Sequence, residues 1–156
     1  MPDSTHDQNR RSIERLFENC FNRGDLAVLD ALISPEYVGA LGDKGPAGFR
    51  GVVLGLKTAF PDIHYTLDDV VAEGEKVAVR WHWTGTHEGP FRTYPPTGKT
   101  MTNTGTGIFR FRDGKIVAAT LETDRLGFLV QVGAVPADVV PGPPPAPPAA
   151  PRPAAR

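Results

Sequence analysis

The sequence predicts an α+β protein in which helices come first and a meander of antiparallel strands follows. Two observations carry this prediction. Apolar residues recur at helical spacing over the first third of the chain, and from residue 63 onward they alternate with polar residues at period two. Since a helix buries one stripe and such a strand buries one face, we expect the helices to pack on a curved sheet and to enclose one apolar pocket.

Three helices are predicted before the sheet. The first spans residues 8–22, because its apolar residues fall on one stripe, namely Ile13, Leu16, Phe17, Cys20 and Phe21. Gly24 stops this helix, and Asp25 caps a short second helix that ends before Ser34. Residues 36–41 are predicted to be extended, and a third helix begins near Pro46 and ends at Pro61.

Four strands are predicted after the helices. An alternating run over 63–71 is joined by a Glu-Gly-Glu turn to a second run, which carries Trp81 and Trp83 on its apolar face. A loop rich in Gly and Pro, residues 85–99, precedes a strand over 100–112. An Asp-Gly turn joins that strand to the last one, over 115–123, and a short closing helix follows Asp124.

The chain is predicted to hold one domain, because 156 residues leave room for one hydrophobic core and not for two. Residues 8–134 form this domain, and residues 1–7 are a flexible N-terminus. Residues 135–156 are a disordered tail rich in Pro and Ala. A solubilising tail is favoured over a ligand for a proline-binding module.

The charge balance excludes several classes of partner. Lys and Arg number 17 and Asp and Glu 18, so the chain lacks the basic surface that binds nucleic acid or an anionic membrane. We expect a small molecule or a second copy of the chain instead. Cys20 is the single cysteine and allows no internal disulfide, and residues 1–11 lack the apolar run of a signal peptide. A cytoplasmic location is therefore expected.

The sequence gives little support for a metal site or for catalysis by a nucleophilic side chain. The four histidines show no metal-ligand spacing, and the glycines at 105 and 107 precede no helix start that would cradle phosphate. A Gly-x-Ser-x-Gly motif is absent, and Cys20 lies on a core stripe. We expect no metal and no cofactor.

Asp124 is the predicted catalytic residue, because it closes the last strand just as an apolar helix begins. A carboxylate at that position faces water, caps the helix or lines a cavity. Desolvation in an apolar pocket would make it a base strong enough to abstract a proton at neutral pH. Glu122, two positions earlier, either shares the face of Asp124 or is solvated.

The predicted substrate-binding residues are two aromatic rings and four polar groups. Trp81 and Trp83 either belong to the core or form flat walls for an aromatic ligand. The polar groups that could orient a ligand's oxygens are Tyr37, His87, Thr104 and Thr106.

Six short stretches in order give the chain a family resemblance between residues 9 and 136. They are Phe-Asn-Arg-Gly-Asp at 21–25, Ala-Phe-Pro-Asp at 59–62, Thr-Gly-Thr-His-Glu-Gly at 84–89, Pro-Pro-Thr-Gly-Lys at 95–99, Ile-Phe-Arg-Phe-Arg-Asp-Gly-Lys-Ile at 108–116 and Asp-Arg-Leu-Gly-Phe-Leu at 124–129. Together these stretches resemble the SnoaL-like polyketide cyclases, or ester cyclases, of the nuclear transport factor 2-like superfamily. They are more specific for the family than for one activity.

The resemblance implies a cone-shaped fold, a homodimer and no cofactor. In the cyclases an Asp at the end of the last long strand is the acid/base for an intramolecular aldol closure, and the matching position is Asp124. Related members assist hydroxylation of an anthracycline-type ring. Many members carry a pattern similar to His-Trp-Asp-x-x-Asp on the last strand, whereas residues 119–124 of this chain keep only its final Asp. On the preceding strand, Gly107 stands where many members carry a polar residue.

Three functions follow as hypotheses. The first is a cyclase of antibiotic biosynthesis that acts on an aromatic, polyketide-like substrate. The second is a cofactor-independent hydroxylase in which the substrate itself reacts with oxygen, and the third is a binding protein without turnover. In each case we expect a homodimer that pairs through the outer face of the sheet, with Arg80 in the interface and the tail outside it.

Overall fold

In a computed structural model, which describes residues 4–140, five strands form one curved sheet in the order β1-β5-β4-β3-β2. Their bounds are Ile33–Val38 (β1), His64–Glu73 (β2), Lys76–Thr86 (β3), Thr100–Arg112 (β4) and Lys115–Thr123 (β5). Strands β2 to β5 pair antiparallel, and β1 pairs parallel with β5. The predicted α+β class is confirmed. Residues 141–156 of the predicted tail lie outside the described residues.

Helical segments precede β1, connect β1 to β2 and follow β5 along the chain. Helix α1 is Thr5–Arg15 and continues as a π-helical segment, Leu16–Asn22. A 3-10 turn at Leu26–Val28 leads into α2 (Leu29–Leu32), and α3 (Gly45–Ala59), α4 (Arg125–Gln131) and a 3-10 turn at Ala137–Val139 follow. None of the helices within residues 4–140 is long and apolar enough to cross a membrane.

Two local predictions are corrected by the structure. The extended segment expected over 36–41 begins earlier, at Ile33, because that buried β-branched residue pairs with Ile116 of β5. The first helix is not regular to its end. Its last residues form wider turns, in which the N–H of Arg23 reaches the carbonyl of Glu18 at 3.1 Å.

The core lies between the helices and one face of the sheet, which we call the inner face. Phe17 is at its centre, with ring centroids 5.2 Å from Phe21, 5.6 Å from Tyr65, 5.7 Å from Trp81 and 6.3 Å from Phe109. Burial of each such ring stabilises the fold by roughly 1.5–3 kcal/mol. Cys20 is a core residue as predicted, and burial raises the pKa of its thiol to about 11.

Two side-chain amides form hydrogen bonds with backbone groups at strand edges that have no neighbouring strand. Asn22 accepts from the N–H of Tyr65 at 2.7 Å and donates to its carbonyl at 3.0 Å, on the free edge of β2. Gln131 accepts from the N–H of Thr102 at 2.9 Å and donates to its carbonyl at 2.8 Å, at a part of β4 that extends beyond the end of β5. Because unpaired strand edges invite aggregation, both amides protect the sheet while they fix the neighbouring helices.

The outer face of the sheet carries ordered rows of side chains. One row is apolar and contains Val71, Ala78 and Ile108 in register across β2, β3 and β4. The next row contains Asp69, Arg80, Thr106 and Glu122, and the third contains His82 and Thr104. A bulge in β2 places Asp68 on this face beside Asp69, since the pairing slips between Leu67 and Asp69.

Candidate functional site

A groove of about 260 Å³ crosses the outer face where β5 ends. We call it the outer groove, and the residues that line it are Asp68, Arg80, Trp81, Thr104, Gly105, Thr106, Glu122, Thr123 and Asp124. The strand register brings them together: Thr106 is opposite Glu122, and the N–H of Asp124 donates to the carbonyl of Thr104 at 3.1 Å. Of the two alternatives left open for Glu122, both describe part of its setting, since it is exposed to solvent and lines the same groove as Asp124.

Asp124 is the N-cap of α4. Its Oδ1 accepts a hydrogen bond of 2.8 Å from the N–H of Gly127. A β-carbon at position 127 would lie 2.8 Å from the carboxyl carbon of Asp124, so a larger residue there would force the capping carboxylate to move. The carboxylate is held at the helix N-terminus and remains exposed to solvent.

An ion pair and a histidine–carboxylate contact lie beside the outer groove. Nε of Arg80 donates to Oδ2 of Asp69 at 2.9 Å, and Nδ1 of His82 lies 2.9 Å from Oδ1 of Asp68. The bulge in β2 makes both pairs feasible, because it directs two consecutive carboxylates to the same face. Exposed pairs of this kind contribute little stability, about 0–1 kcal/mol each, so they mainly set the electrostatics of the face.

Trp81 lies on the opposite, inner face and covers two glycines of β4. A β-carbon on Gly105 would lie 2.6 Å from Cε2 of the indole, and one on Gly107 would lie 3.1 Å from Cζ3. The indole thus occupies the space that side chains at 105 and 107 would fill. Its buried side chain and the hydroxyls of Thr104 and Thr106 lie on different faces of one sheet.

The inner face is also apolar where the family pattern is polar. Ala119 and Leu121 occupy positions of the His-Trp-Asp-x-x-Asp pattern that alternate onto this face. A β-carbon on Gly107 would lie 2.6 Å from Cδ2 of Leu121, so leucine fills that region. The interior-facing polar groups of the pattern are absent at these two positions.

Trp83 and His87 form part of an aromatic cluster at the open end of the sheet. The ring of Phe60 lies 4.8 Å from Trp83 and is stacked on His87 at 5.1 Å. His87 is 0% exposed, and its Nδ1 accepts from the N–H of Thr97 at 3.3 Å. Both residues are buried, and for Trp83 burial fits a core residue as well as an aromatic wall.

Tyr37 lies apart from both groups. Its ring packs on Phe49 at 5.6 Å between β1 and α3, and the carboxylate of Asp43 lies near its hydroxyl. Burial, with the nearby Asp43 carboxylate, raises the pKa of this phenol. The predicted site residues thus fall into three places: the outer groove, the inner aromatic face and the β1–α3 contact.

Asn103 is a buried polar residue that the sequence analysis missed. It lies on the inner face opposite Trp83, is 9% exposed, and its Oδ1 accepts from the N–H of Thr104 at 2.8 Å. The signal was present in the sequence, because Asn103 occupies an apolar-face position between Met101 and Gly105.

A second open concavity, of about 320 Å³, lies between α1, the π-helical segment and β2, and includes Glu14, Glu18 and His64. None of the predicted site residues lines it. Within residues 4–140, no three His, Cys, Asp or Glu side chains are grouped so that they could hold a metal ion.

Comparison with known proteins places this geometry in context. The family model described as SnoaL-like polyketide cyclase matches residues 11–132. A search of curated proteins found no match.

Three solved structures are similar over most of the chain. TsrD from Streptomyces laurentii is 28% identical with a TM-score of 0.79, and the match covers 85% of this chain and 100% of TsrD. IdmH from Streptomyces antibioticus, a proposed polyketide cyclase, is 35% identical with a TM-score of 0.68 and coverages of 81% and 99%. AclR from Streptomyces galilaeus, a proposed hydroxylase, is 27% identical with a TM-score of 0.74 and coverages of 84% and 84%.

Proposed function

Because the chain belongs to the SnoaL-like polyketide cyclase family, we propose that it closes a ring of an aromatic polyketide, with Asp124 as the acid/base. The carboxylate removes a proton from a carbon that is flanked by carbonyl groups. The resulting enolate carbon bonds to a carbonyl carbon of the same molecule, and the new alkoxide takes the proton back from Asp124. The product is an isomer of the substrate, and no oxidant is consumed.

The observation that carries the proposal is the setting of the Asp124 carboxylate. Gly127 fixes one carboxylate oxygen at 2.8 Å, and the hydroxyls of Thr104 and Thr106 and the guanidinium of Arg80 lie in the same groove. Hydroxyl and guanidinium donors are suited to stabilise the developing enolate oxygen. We therefore assign Thr104 and Thr106 to substrate orientation in this groove.

Asp124→Asn separates the catalytic role from the structural one. Asparagine caps helices as well as aspartate does, so the variant keeps the bond to Gly127 and loses only the base. We expect turnover of an aromatic polyketide ester with one unclosed ring to fall roughly 10²–10⁴-fold, while the melting temperature is unchanged. Asp25→Asn is the matched control, because Asp25 caps the 3-10 turn at Leu26–Val28 by the same kind of bond, at 3.1 Å.

The outcomes of this experiment distinguish a helix-capping role of Asp124 from a catalytic one. Loss of turnover in Asp124→Asn with normal turnover in Asp25→Asn supports the proposal. Equal turnover in wild type and Asp124→Asn would reduce Asp124 to a helix cap and end the mechanism. Tight binding of the product class without turnover in any variant would identify a binding protein.

Hydroxylation is the second candidate, and the apolar inner face favours it. With Ala119, Leu121 and Gly107 at positions where many family members carry polar groups, the inner face offers few catalytic groups. An electron-rich hydroquinone that reacts with oxygen by itself needs few such groups. AclR, a proposed hydroxylase, shares the fold at 27% identity. Product formation without oxygen would eliminate this candidate.

The apolar row of the outer face supports a homodimer. Val71 is 65% and Ile108 47% exposed, and they flank Ala78 in one line across three strands. Two-fold pairing is the common assembly of small soluble proteins and would cover such a row. The outer groove begins in the next row, at Arg80 and Thr106, and Asp124 lies at its far end beside Thr104, so pairing centred on Ala78 leaves Asp124 accessible within each subunit.

A further inference from the structure

Two side chains of the outer face, His82 and Asp68, are arranged as a pair that can transfer protons. Nδ1 of His82 lies 2.9 Å from Oδ1 and 3.0 Å from Oδ2 of Asp68, so one ring nitrogen faces both carboxylate oxygens. The bulge in β2 permits this contact, because it directs Asp68 as well as Asp69 to the outer face. The two side chains are 41% and 28% exposed, so the pair remains open to water.

The contact determines which nitrogen of the imidazole carries the hydrogen. An ionised carboxylate only accepts hydrogen bonds, so Nδ1 of His82 is the donor and the neutral ring has its lone pair on Nε2. Nε2 lies on the side of the ring away from Asp68 and has no hydrogen-bond partner within residues 4–140. A carboxylate in this position orients the imidazole and stabilises the imidazolium that forms when the ring takes up a proton.

A hydrogen-bond donor is held beside this base in the same way. Arg80 precedes His82 by two residues on β3, so both side chains project from the outer face, about 6.5–7 Å apart along the strand. Nε of Arg80 donates to Oδ2 of Asp69 at 2.9 Å, which leaves Nη1 and Nη2 for other acceptors. The two consecutive carboxylates at the bulge thus each orient one group, a base through Asp68 and a cationic donor through Asp69.

The neighbouring strand β4 adds hydroxyl groups to this arrangement. The strand register places Thr104 opposite His82 and Thr106 opposite Arg80. Asp68, Arg80 and both threonines line the outer groove, whose volume of about 260 Å³ limits a ligand to a small molecule. His82 lies at the border of this groove, between Asp68 and Thr104.

We propose that the outer groove hydrolyses small carboxylic esters, with His82 as the general base and Asp68 as its positioning residue. Nε2 removes a proton from a water molecule, and the water oxygen bonds to the ester carbonyl carbon while an electron pair moves to the carbonyl oxygen. Arg80 and the hydroxyl of Thr104 donate to this oxyanion. The intermediate then expels the alcohol oxygen, which takes the proton from the imidazolium. Water is the only co-reactant, and the products are an acid and an alcohol.

This activity goes beyond ring closure, because ester cleavage forms no enolate and does not use Asp124 as a base. It is also compatible with the proposed homodimer. Pairing centred on Ala78 borders Arg80, whereas His82 lies one row further along the face and remains accessible.

Hydrolysis of 2-naphthyl acetate by the wild-type protein tests the proposal, because the fluorescence of the released 2-naphthol follows turnover. His82→Gln removes the basic nitrogen and should lower kcat about 10²-fold or more. His64→Gln is the matched control. His64 is exposed on the outer face of β2, and no carboxylate within residues 4–140 contacts its ring, so this variant should keep wild-type turnover.

Two variants of Asp68 test its positioning role. In Asp68→Asn the side-chain amide can donate to Nδ1 and shift the ring hydrogen to Nε2, where it blocks proton uptake. We expect kcat to fall about tenfold or more with KM unchanged. The melting temperature should also be unchanged, because exposed pairs of this kind contribute little to stability. Asp68→Glu keeps a carboxylate and should retain more of kcat than Asp68→Asn.

Any of four results overturns the proposal. Equal turnover in wild type and His82→Gln would exclude His82 as the base, and equal losses in His82→Gln and His64→Gln would show that any exposed imidazole suffices. An unchanged kcat in Asp68→Asn would exclude orientation by the carboxylate. A burst of 2-naphthol equal to the protein concentration would show that a side chain, not water, attacks the ester. None of these results bears on ring closure, which is measured with a different substrate and with Asp124→Asn.

Discussion

Replacement of Gly105 by alanine tests how tightly the inner face is filled. The new β-carbon would lie 2.6 Å from Cε2 and 2.9 Å from Nε1 of Trp81, closer than van der Waals contact permits. The indole cannot retreat freely, because Phe17 packs on it at 5.7 Å. Overpacking of this kind costs about 1–3 kcal/mol in the free energy of unfolding. At about 4 °C per kcal/mol for a domain of this size, the melting temperature should fall by about 4–12 °C.

Gly55→Ala provides a control with the same chemical change and the opposite expected sign. Gly55 lies on the exposed side of α3, and no atom lies within 4 Å of the position of its β-carbon. Alanine in a helix interior stabilises by roughly 0.5–1 kcal/mol relative to glycine, so this variant should melt about 2–4 °C higher. Circular dichroism at 222 nm measures both variants.

A double variant identifies the cause of the loss at Gly105. Trp81→Phe alone leaves a void and destabilises the domain, but it also frees the space that the new β-carbon needs. The two changes together should therefore cost at least about 1 kcal/mol less than the sum of their separate effects. A Gly105→Ala variant that melts within about 1 °C of wild type, or strict additivity in the double variant, would refute the close contact with the indole.

Three further predictions concern an edge, a carboxylate and the assembly. Gln131→Leu removes both bonds to Thr102 and should cost about 1–2 kcal/mol in denaturant unfolding. Hydrogen bonds from the N–H and hydroxyl of Thr86 lower the pKa of Asp62, so its stabilisation is present above the unfolded-state value of about 3.9 and is lost as the pH falls through the folded-state value. The melting temperatures of Asp62→Asn and wild type should therefore converge in acid, and a constant gap would contradict this. Arg80→Glu should weaken the proposed homodimer while truncation after residue 140 leaves it intact, and light scattering that shows a wild-type monomer at high micromolar concentration would exclude the dimer.

Local signals in the sequence were sufficient for most of the secondary structure. The alternation around Trp81 and Trp83 predicts β3, and the Asp-Gly pair at 113–114 adopts the positive φ values that a tight hairpin requires. Asp25 caps the second helical segment as expected. In each case the determinants lie within a few residues of one another, which is why a single sequence reveals them.

The separation of the predicted site residues depends on features that are not local. Whether Thr104 shares a face with Trp81 or opposes it depends on the register of β3 and β4, and the 87–99 loop that sets this register has no regular period. The bulge at Asp68 is likewise a property of the pairing between β2 and β3. Sequence alone therefore identified the strands and the apolar face of β3, and could not assign Thr104, Thr106 and Asp124 to a common outer groove.

The two faces of the sheet have different consequences for chemistry. On the inner face, Trp81 covers two glycines and Leu121 fills the adjoining space, so a polar catalytic group there would need a cavity that this chain has filled. On the outer face, the alternation of β4 and β5 exposes Thr104, Thr106 and Asp124 to solvent. Proton transfer by an exposed carboxylate lacks the desolvation that strengthens a base, so the rate expected from Asp124 is limited unless the bound substrate itself excludes water from the groove. A substrate broad enough to cover the outer groove would provide that desolvation, and the dependence of turnover on the ring count of the substrate is the measurement that reveals it.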